Sequence, residues 1–458
     1  MYDLIIIGAG TAGIAAYKEA IKFTKNILII NNGPWDTTCA RVGCMPSKVL
    51  IASANRMHDI QHANELALTI NVEIDTKNVM QHVRALRDHF TAATQKDVDQ
   101  WPTEHKISGL ASFIDSQTVQ VNGQHYQAKA FILAVGSTST VDPQLKNELQ
   151  HKLISSDQIF ELDQLPKSLA VIGSGVIALE LAQAMHRLGV KVDIFARSRK
   201  VGSLTSTTLQ TLAQQELTKE LNIHFEVLPE SISLNKDQVS INFKEHDTEQ
   251  NIQVDYVLAA TGRRSLLDSL NLHHVNPKYQ NAKQLDIDAH TKQLGHYPIF
   301  IVGDAYTTTP IQHEAAHEGR TAVHNYLNYP QVSNLKTLTP LSIVFSQPEM
   351  AIVGKSAKQL DTEQIEYVVG YADYSQQGRA TVMAENKGAI EIYIEKKTQL
   401  FVGAELFVTE AEHLAHLLAW MIDSKVTLDD ILTKPFYHPT LEEGLRTAFK
   451  HAKRQLKM

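Results

Sequence analysis

The chain has little cysteine: only Cys39 and Cys44 occur among 458 residues, too few for a secreted protein held together by disulfides. It also lacks an apolar run of the roughly 20 residues that a membrane-spanning helix needs. Its formal net charge of -7 gives no electrostatic reason to bind nucleic acid or an anionic membrane. Residues 1–7 lack the basic segment of a signal peptide and indicate a strand instead. We therefore expect a cytoplasmic protein whose two thiols need a chemical explanation.

What the chain does contain is an internal repeat. Each copy has an apolar strand, a turn with the pattern G-x-G-x-x-G/A, a helix and a second apolar strand. The small turn residues are Gly8, Gly10 and Gly13 in the first copy and Gly173, Gly175 and Ala178 in the second. In both copies the residue after the second strand, Asn31 or Ala196, lies 23 residues beyond the first glycine. A spacing near 20 is typical of the ribose-binding residue in a Rossmann unit.

The repeated turn predicts that two dinucleotides bind. Its first glycine permits a tight turn, its second lets the backbone approach a pyrophosphate, and a small third residue lets helix and strand pack closely. The helix that follows offers free N–H groups to phosphate oxygens. Asp304 ends another apolar strand, where a carboxylate can bond a ligand hydroxyl or, alternatively, cap a helix.

The pattern changes in the last quarter of the chain, from about Lys336. Strand-like runs precede helical ones there, which indicates a separate α+β domain. The predicted strands are 341–345, 389–394 and 400–406, and the predicted helices are 410–423 and 440–450.

Cys39 and Cys44 lie shortly after the first repeat, in the segment T-C-A-R-V-G-C-M-P-S-K. On an ideal helix, residues five apart have Cα atoms roughly 8.7 Å apart, which exceeds the ~7 Å limit for a disulfide. A bridge therefore requires a distorted helix, which Gly43 and Pro46 permit. So short a ring does little to stabilise a large protein, which favours redox chemistry over a structural disulfide. A zinc site is the alternative, although four convergent soft ligands are lacking.

These motifs together resemble the class I pyridine nucleotide-disulfide oxidoreductases, the family of dihydrolipoamide dehydrogenase and glutathione reductase. The resemblance covers essentially the whole chain and includes C-x-x-x-x-C-x-P-S-K, A-T-G-R-R at 260–264, Gly303-Asp304 and H-P-T-x-x-E at 438–443. It implies an enzyme that uses FAD and NAD(P)H to exchange electrons with a small disulfide or dithiol. It also implies a homodimer with active sites shared between subunits.

The resemblance assigns a role to each part of the chain. Two Rossmann-type domains, for FAD and for NAD(P), would precede a C-terminal α+β dimerisation domain. The expected ranges are 1–145 for the FAD-binding domain, 146–268 for the NAD(P)-binding domain, 269–335 for a central segment completing the FAD site, and 336–458 for the interface domain.

Catalytic roles also follow from the resemblance. Cys44 would be the thiolate against the flavin, and Cys39 the exchange thiol that attacks the substrate. His438 would reach in from the partner subunit as acid and base, oriented by Glu443. Such exchange chemistry needs a thiolate near ambient pH and a proton donor for the departing sulfur.

Further residues would bind FAD or the nicotinamide dinucleotide. Lys48 and Glu180 match an ion pair beside the flavin N5 that stabilises the reduced flavin. The expected cofactor-binding residues, besides Lys48 and the turn glycines, are Asn31, Thr38, Ala111, Val135, Gly136, Ser137, Val176, Arg197, Arg199, Gly262, Asp304 and Gln312.

Two departures from the family pattern concern the ribose positions. Asn31 stands where an acidic residue normally binds the adenosine ribose of FAD, and an amide can still bond hydroxyls. Ala196 stands where NAD-specific members carry an acid, and Arg197 and Arg199 follow it. Arginines favour a 2′-phosphate. We therefore expect NADPH, although NAD remains possible because dihydrolipoamide dehydrogenases normally use it, and a solvated basic turn is the alternative explanation.

Other functions compete with this assignment. His313-Glu314-Ala315-Ala316-His317 matches the zinc-protease motif H-E-x-x-H, but no third protein ligand stands out, so we expect no metal. A non-enzymatic flavoprotein subunit is a second alternative, against which both cysteines and His438 argue. Within the family, the absence of terminal cysteines disfavours mercuric reductase and large thioredoxin reductase. Dihydrolipoamide, a glutathione-type disulfide and other small disulfides remain open as substrates.

Overall fold

The computed structural model describes residues 1–306, 310–334 and 336–457. Its strands are β1 Leu4–Ile7, β2 Ile27–Asn31, β3 Lys106–Ser108, β4 Ser112–Asp115, β5 Thr118–Val121, β6 Gln124–Gln127, β7 Phe131–Leu133, β8 Ser137–Ser139, β9 Leu153–Ile154, β10 Ser168–Ile172, β11 Lys191–Ala196, β12 Asn222–Phe225, β13 Ser231–Asn235, β14 Gln238–Glu245, β15 Thr248–Val254, β16 Tyr256–Ala259, β17 Arg263–Ser265, β18 Ile299–Ile301, β19 Leu341–Val344, β20 Glu349–Gly354, β21 Tyr367–Asp373, β22 Ala389–Glu395 and β23 Phe401–Val408. Its helices are α1 Thr11–Ala20, α2 Thr38–Arg41, α3 Cys44–Gln61, α4 Thr76–Asp99, α5 Pro143–Leu149, α6 Val176–Arg187, α7 Thr207–Leu217, α8 Gln312–Asn328, α9 Ala357–Thr362, α10 Gly378–Val382, α11 Ala411–Asp423, α12 Leu428–Leu432 and α13 Glu443–Leu456.

These elements form two compact units, each made of three chain segments. Unit 1 comprises Met1–Pro46, His82–Thr140 and Gly262–Thr337, and unit 2 comprises Ser47–Gln81, Val141–Thr261 and Leu338–Met458. The four expected domain ranges stay a prediction, and the ends of two of them, residues 335 and 458, lie outside the described residues.

Unit 1 is built on a parallel sheet of strand order β18-β7-β1-β2-β3. Its central strand β1 is apolar at every position because a parallel sheet is covered on both faces. Leu4 and Ile6 belong to the core that contains α1 and α8, whereas Ile5 and Ile7 belong to the core on the other face. Two small antiparallel sheets, β4-β5-β6 and β8-β17, complete this unit.

Unit 2 contains a second parallel sheet, of strand order β12-β11-β10-β16-β9, and an antiparallel sheet β13-β14-β15. Its third sheet, β19-β20-β23-β22-β21, is antiparallel, and helices α11 and α13 share its core. Two parallel sheets followed by an antiparallel α+β region confirm the predicted fold class.

Several helix boundaries differ from the prediction: α11 begins at Ala411 rather than at 410, and α13 ends at Leu456 rather than at 450. Helix α1 begins at Thr11, inside the glycine turn rather than after it, because Gly10 already adopts the extended conformation of an N-cap. Helix α13 begins at Glu443 rather than at Thr440, and the Glu443 carboxylate accepts the Thr440 N–H. Within the described residues, no helix is long and apolar enough to cross a membrane.

Candidate active site

The first glycine turn has the close contacts that its pattern predicted. Gly8 has a φ of +105°, and a Cβ atom there would lie 2.3 Å from the carbonyl oxygen of Ala134. A Cβ on Gly13 would lie 1.8 Å from the Gly8 carbonyl oxygen, so that α1 packs directly on the turn. A Cβ on Gly10, by contrast, would meet nothing within 4 Å. Gly10 caps α1 without any side-chain hydrogen bond, which leaves helix N–H groups for a phosphate.

Asn31 ends β2 beside this turn, and its amide is already engaged by the protein. Its Oδ1 accepts the Ala9 N–H at 3.0 Å. Its Nδ2 donates to the carbonyl oxygens of Gly33 at 3.1 Å and Pro34 at 2.9 Å. The expected bond to a ribose hydroxyl is therefore left to the second lone pair of Oδ1. In the structure, the hydrogen bonds of Asn31 connect the glycine turn to the loop after β2.

The other positions expected in the first dinucleotide site lie at strand ends of unit 1. Ala111 is buried between β3 and β4, and Val135 and Gly136 follow β7. The Ser137 hydroxyl and carbonyl accept hydrogen bonds from the Arg263 guanidinium at 2.9 and 2.8 Å. Gly262, next to Arg263, has a φ of +116° and its carbonyl accepts the Thr140 N–H at 2.9 Å.

Asp304 lies in a short 3-10 turn after β18. Burial raises the pKa of its carboxyl group, and the Arg263 charge opposes this effect. It does not cap the next helix, since Ile311 is the N-cap residue of α8. Of the two alternatives for Asp304, capping of α8 is therefore wrong, and a half-buried carboxylate at a strand end remains suited to a ligand hydroxyl.

The two cysteines are on separate helices, as a bridge between them requires. Cys39 is in α2, which Thr37 caps by accepting the Ala40 N–H at 3.2 Å. The helix stops at Arg41, and α3 begins at Cys44. Gly43 lies between them, and a Cβ there would be 3.1 Å from the Cys39 Cα. Cys39 is half-buried and Cys44 is exposed.

Cys39 borders an open cleft of about 640 Å³ in unit 1, between residues of α1, α2, α4 and α8. Lys18 in this cleft pairs with Asp97 at 2.6 Å. Arg320, on α8, is exposed in the same cleft, and no carboxylate of the described residues pairs with it. Gln312, an expected cofactor-binding residue, also lines it. Lys18 and Arg320 were not predicted, because nothing in the sequence indicates that these helices share a cleft with Cys39.

The second glycine turn repeats the first. Gly173 has a φ of +121°, and a Cβ there would lie 2.4 Å from the Ala260 carbonyl oxygen. Gly175 caps α6 without a side-chain bond, and a Cβ on it would meet nothing within 4 Å. Val176, half-buried, begins α6, and Ala178 is buried in it. Both turns thus fit a bound dinucleotide in the same way.

The residues after β11 are basic and exposed. Among the described residues, Arg197 has no ion-pair or hydrogen-bond partner, and its side chain is open to solvent. Arg199 lies 3.7 Å from Glu226 and over the Phe225 ring at 5.4 Å. Of the two arginines, Arg197 is thus the more available for a phosphate.

Lys48 and Glu180 form the predicted ion pair in unit 2, with 2.8 Å between Lys48 Nζ and Glu180 Oε2. The other carboxylate oxygen of Glu180 accepts the Phe345 N–H at 2.9 Å, and the Lys48 ammonium lies 4.5 Å from the centre of the Phe345 ring. Glu180 is only 5% exposed, so this carboxylate depends on both partners. The sequence did not predict these contacts of Phe345.

His438 and Glu443 also form the pair that was predicted. His438 Nδ1 lies 3.0 and 3.2 Å from the two Glu443 carboxylate oxygens. This bond fixes the imidazole orientation and leaves Nε2 available for a proton. The side chain of His438 is 81% exposed in the single chain.

His313, Glu314 and His317 lie on α8. His317 Nε2 contacts the Lys336 carbonyl oxygen. Within the parts of the chain that are described, no group of three or more His, Cys, Asp or Glu side chains could hold a metal ion.

Comparisons with known proteins identify the family of the chain. Residues 2–319 match the family described as pyridine nucleotide-disulphide oxidoreductase, and residues 341–449 match the dimerisation domain of that family. The chain belongs to this family. The oxidoreductase is therefore a flavin-dependent enzyme that acts on a sulfur group with NAD(P)H, which confirms the predicted class and sets aside the non-enzymatic alternative.

Relatives and solved structures extend over nearly the whole oxidoreductase. A dihydrolipoyl dehydrogenase from Geobacillus stearothermophilus is 28% identical over 96% of this chain and 94% of the relative. A mercuric reductase from Staphylococcus aureus is 27% identical over 98% of this chain and 82% of the relative. In structure, LpdA from Mycobacterium tuberculosis has a TM-score of 0.84 at 20% identity, covering 99% and 100% of the two chains. A Cu(II) complex of the flavoprotein disulfide reductase RclA from Escherichia coli has a TM-score of 0.81 at 20% identity, covering 98% and 99%.

We predict that Asn31→Ala weakens FAD retention and lowers the free energy of unfolding by about 1–3 kcal/mol, because three hydrogen bonds between the glycine turn and its neighbouring loop are lost. Flavin release on dilution and denaturant unfolding measure the two effects. Asn26→Ala, which removes one exposed bond to the Met1 carbonyl in the same unit, is the control. Flavin retention equal to that of the control would contradict the role given to Asn31.

Proposed function

We propose that the oxidoreductase uses NADPH to reduce a small disulfide that carries carboxylate groups, through Cys39 and Cys44. The observation that carries this proposal is the cleft of about 640 Å³ beside Cys39, which Arg320 lines without an ion-pair partner among the described residues. An unpaired guanidinium suits a carboxylate, with which it makes two parallel hydrogen bonds. A glutathione-type disulfide is one member of this substrate class.

A second candidate is the dihydrolipoyl group. The names of several relatives favour it, since they are dihydrolipoyl dehydrogenases from Geobacillus stearothermophilus and Bacillus subtilis. A neutral lipoyl amide would make no use of Arg320. Turnover of lipoamide, glutathione disulfide and cystine-like compounds with NADH and NADPH separates the two candidates.

The proposed exchange of disulfides takes two displacements. The Cys39 thiolate attacks one substrate sulfur, so that a mixed disulfide forms and the first substrate thiol leaves. The Cys44 thiolate then attacks the Cys39 sulfur, which releases the second thiol and closes the Cys39–Cys44 disulfide. The substrate gains two electrons and two protons, and NADPH with a proton returns the cysteines to the dithiol form. When bound, FAD supplies the two-electron transfer between nicotinamide and cysteines.

Each chain residue has a defined part in this proposal. His438 holds the proton that the departing substrate sulfur takes, and Glu443 fixes the orientation of its ring. Lys48, held by Glu180, stabilises the negative charge of the reduced flavin. The glycine turns at Gly8 and Gly173 cradle the pyrophosphates of FAD and NADPH.

We further propose that His438 serves the active site of a partner subunit. Its imidazole is 81% exposed in the single chain, where water competes for every proton it would deliver. The matched dimerisation domain, residues 341–449, contains His438 and supports a homodimer. The proposed reaction belongs in the cytoplasm, where reduced nicotinamide is available and thiols stay reduced.

Cys39→Ser and Cys44→Ser should differ in a defined way. Cys39→Ser should lose disulfide turnover yet keep the long-wavelength absorbance of a thiolate against the flavin, because Cys44 remains. Cys44→Ser should lose both. Reductive titration with NADPH, followed by absorbance, measures this, and the same absorbance in both variants would contradict the assigned roles.

Arg197→Glu should shift preference from NADPH toward NADH by roughly 1–3 kcal/mol in kcat/KM, the scale of a lost charged hydrogen bond. Lys236→Glu, at an exposed turn between β13 and β14, makes the same change of charge and should leave the preference unchanged. Steady-state kinetics with NADH and with NADPH measures this preference in the wild type and both variants. Wild-type protein that uses NADH and NADPH equally well would defeat the proposal.

A shared active site predicts complementation between inactive chains. Cys39→Ser and His438→Ala chains, mixed so that subunits exchange, should regain about a quarter of wild-type activity, since about half of the dimers are mixed and each has one intact site. Either variant treated alone is the control. Proven mixed dimers without activity would show that His438 does not serve the partner's site.

A further inference from the structure

One face of α6 carries a polar seam that extends beyond the Lys48–Glu180 pair. Glu180, Gln183 and Arg187 are three and seven residues apart, so they lie on the same side of the helix. All three side chains are buried, although buried polar groups are costly unless they are bonded. Each of them bonds to the short segment between β19 and β20, and two of them also bond to α3.

The far end of the seam is Arg187, which is 4% exposed. Its Nη1 donates to the side-chain oxygen of Asn55 on α3 at 2.8 Å and to the side-chain oxygen of Gln347. Its Nε and Nη2 donate to the two carboxylate oxygens of Glu220 at 2.6 and 3.1 Å. Arg187 thus joins three separate parts of unit 2.

Gln183, between Glu180 and Arg187 on α6, bonds to the backbone of Gln347. Its side-chain oxygen accepts the Gln347 N–H at 2.8 Å, and its Nε2 donates to the Gln347 carbonyl at 2.9 Å. Gln347 is therefore held by backbone and side chain, two residues beyond Phe345, whose N–H bonds to Glu180. The segment that orients Glu180 is fixed by the same network that contains Arg187.

The spacing of these bonds sets the register between two helices. On α3, Lys48 and Asn55 are seven residues apart, and on α6 their partners Glu180 and Arg187 are also seven apart. A slip of one residue moves a helix by about 1.5 Å and turns its side chains by about 100°. Such a slip would break both bonds at once. The Arg187–Asn55 bond therefore opposes any slip that would separate Lys48 from Glu180.

We propose that Arg187 is a positioning residue that fixes the register of α3 against α6 and thereby holds the Lys48 ammonium on Glu180. The planar fork of arginine can bond Glu220, Asn55 and Gln347 together, whereas a lysine at this position can keep the charge near Glu220 but not the fork. The consequence for the flavin rests on the proposed function of the Lys48–Glu180 pair. The positioning itself does not.

Arg187→Lys and Asn55→Ala test the proposal from the two sides of the bond. In both variants, acylation of the Lys48 amine, measured by mass spectrometry, should become severalfold faster because the amine leaves Glu180 more often. The midpoint potential of the bound flavin should shift to a more negative value, and flavin reduction by nicotinamide should slow by on the order of tenfold. Flavin content should remain near one per chain.

Glu405→Gln is the matched control in the same unit. Glu405 is 0% exposed and accepts hydrogen bonds from Thr205, Ser206 and Ala357, so its loss destabilises the fold without touching the seam. It should lower the melting temperature yet leave Lys48 acylation and the flavin potential unchanged. Equal acylation of Lys48 in wild type, Arg187→Lys and Asn55→Ala would overturn the proposal, as would an equal rise in Glu405→Gln.

Lys48→Met separates this inference from the proposed function. If Lys48→Met shifts the potential, Arg187→Lys added to it should cause no further shift, because both changes act through one ammonium group. Additive shifts would overturn the positioning role. If Lys48→Met leaves the potential unchanged while Arg187→Lys still exposes Lys48, the positioning role stands and the flavin role proposed for Lys48 fails.

Discussion

Contacts between backbone atoms at the two glycine turns are the constraint on which both dinucleotide folds depend. A Cβ on Gly13 would come within 1.8 Å of a carbonyl oxygen, and one on Gly173 within 2.4 Å. Without side chains at these places, α1 and α6 begin directly at the edge of a parallel sheet. Among the residues that the structure describes, none bonds the first N–H groups of these two helices, and this is the property that suits a pyrophosphate.

The side chains of the proposed disulfide chemistry, in contrast, depend on helix ends and on pairs. Cys39 is carried by a short helix that Thr37 caps, and Cys44 begins the next helix. Glu443 begins α13 and orients His438, which lies before the helix. At a helix end, a side chain is held by a rigid element but is not enclosed by turns on both sides. Such a position suits groups that must meet a substrate.

The chain shares its fold with solved structures over nearly its whole length, and three of its own features lie at the edges of its sites. Asn31 ends β2, and its amide bonds to the glycine turn and to the local loop. Ala196 and the exposed Arg197 lie at the corresponding place of unit 2. The cleft beside Cys39 carries an arginine without an ion-pair partner among the described residues.

The sequence by itself determined the fold class, the two dinucleotide turns, the cysteine pair, and the pairs Lys48–Glu180 and His438–Glu443. These features depend on local spacing or on motifs whose order the family shares. Only the tertiary structure decided that the Asn31 amide is engaged by the protein, that α8 is not capped by Asp304, and that Arg320 shares a cleft with Cys39. The bonds of Arg187 to Asn55 and Gln347 could not be predicted from the sequence either, because these partners are 132 and 160 residues away from Arg187 along the chain. Spacing along a chain predicts which face of a helix a residue occupies. Which distant side chain meets that face depends on packing over the whole unit.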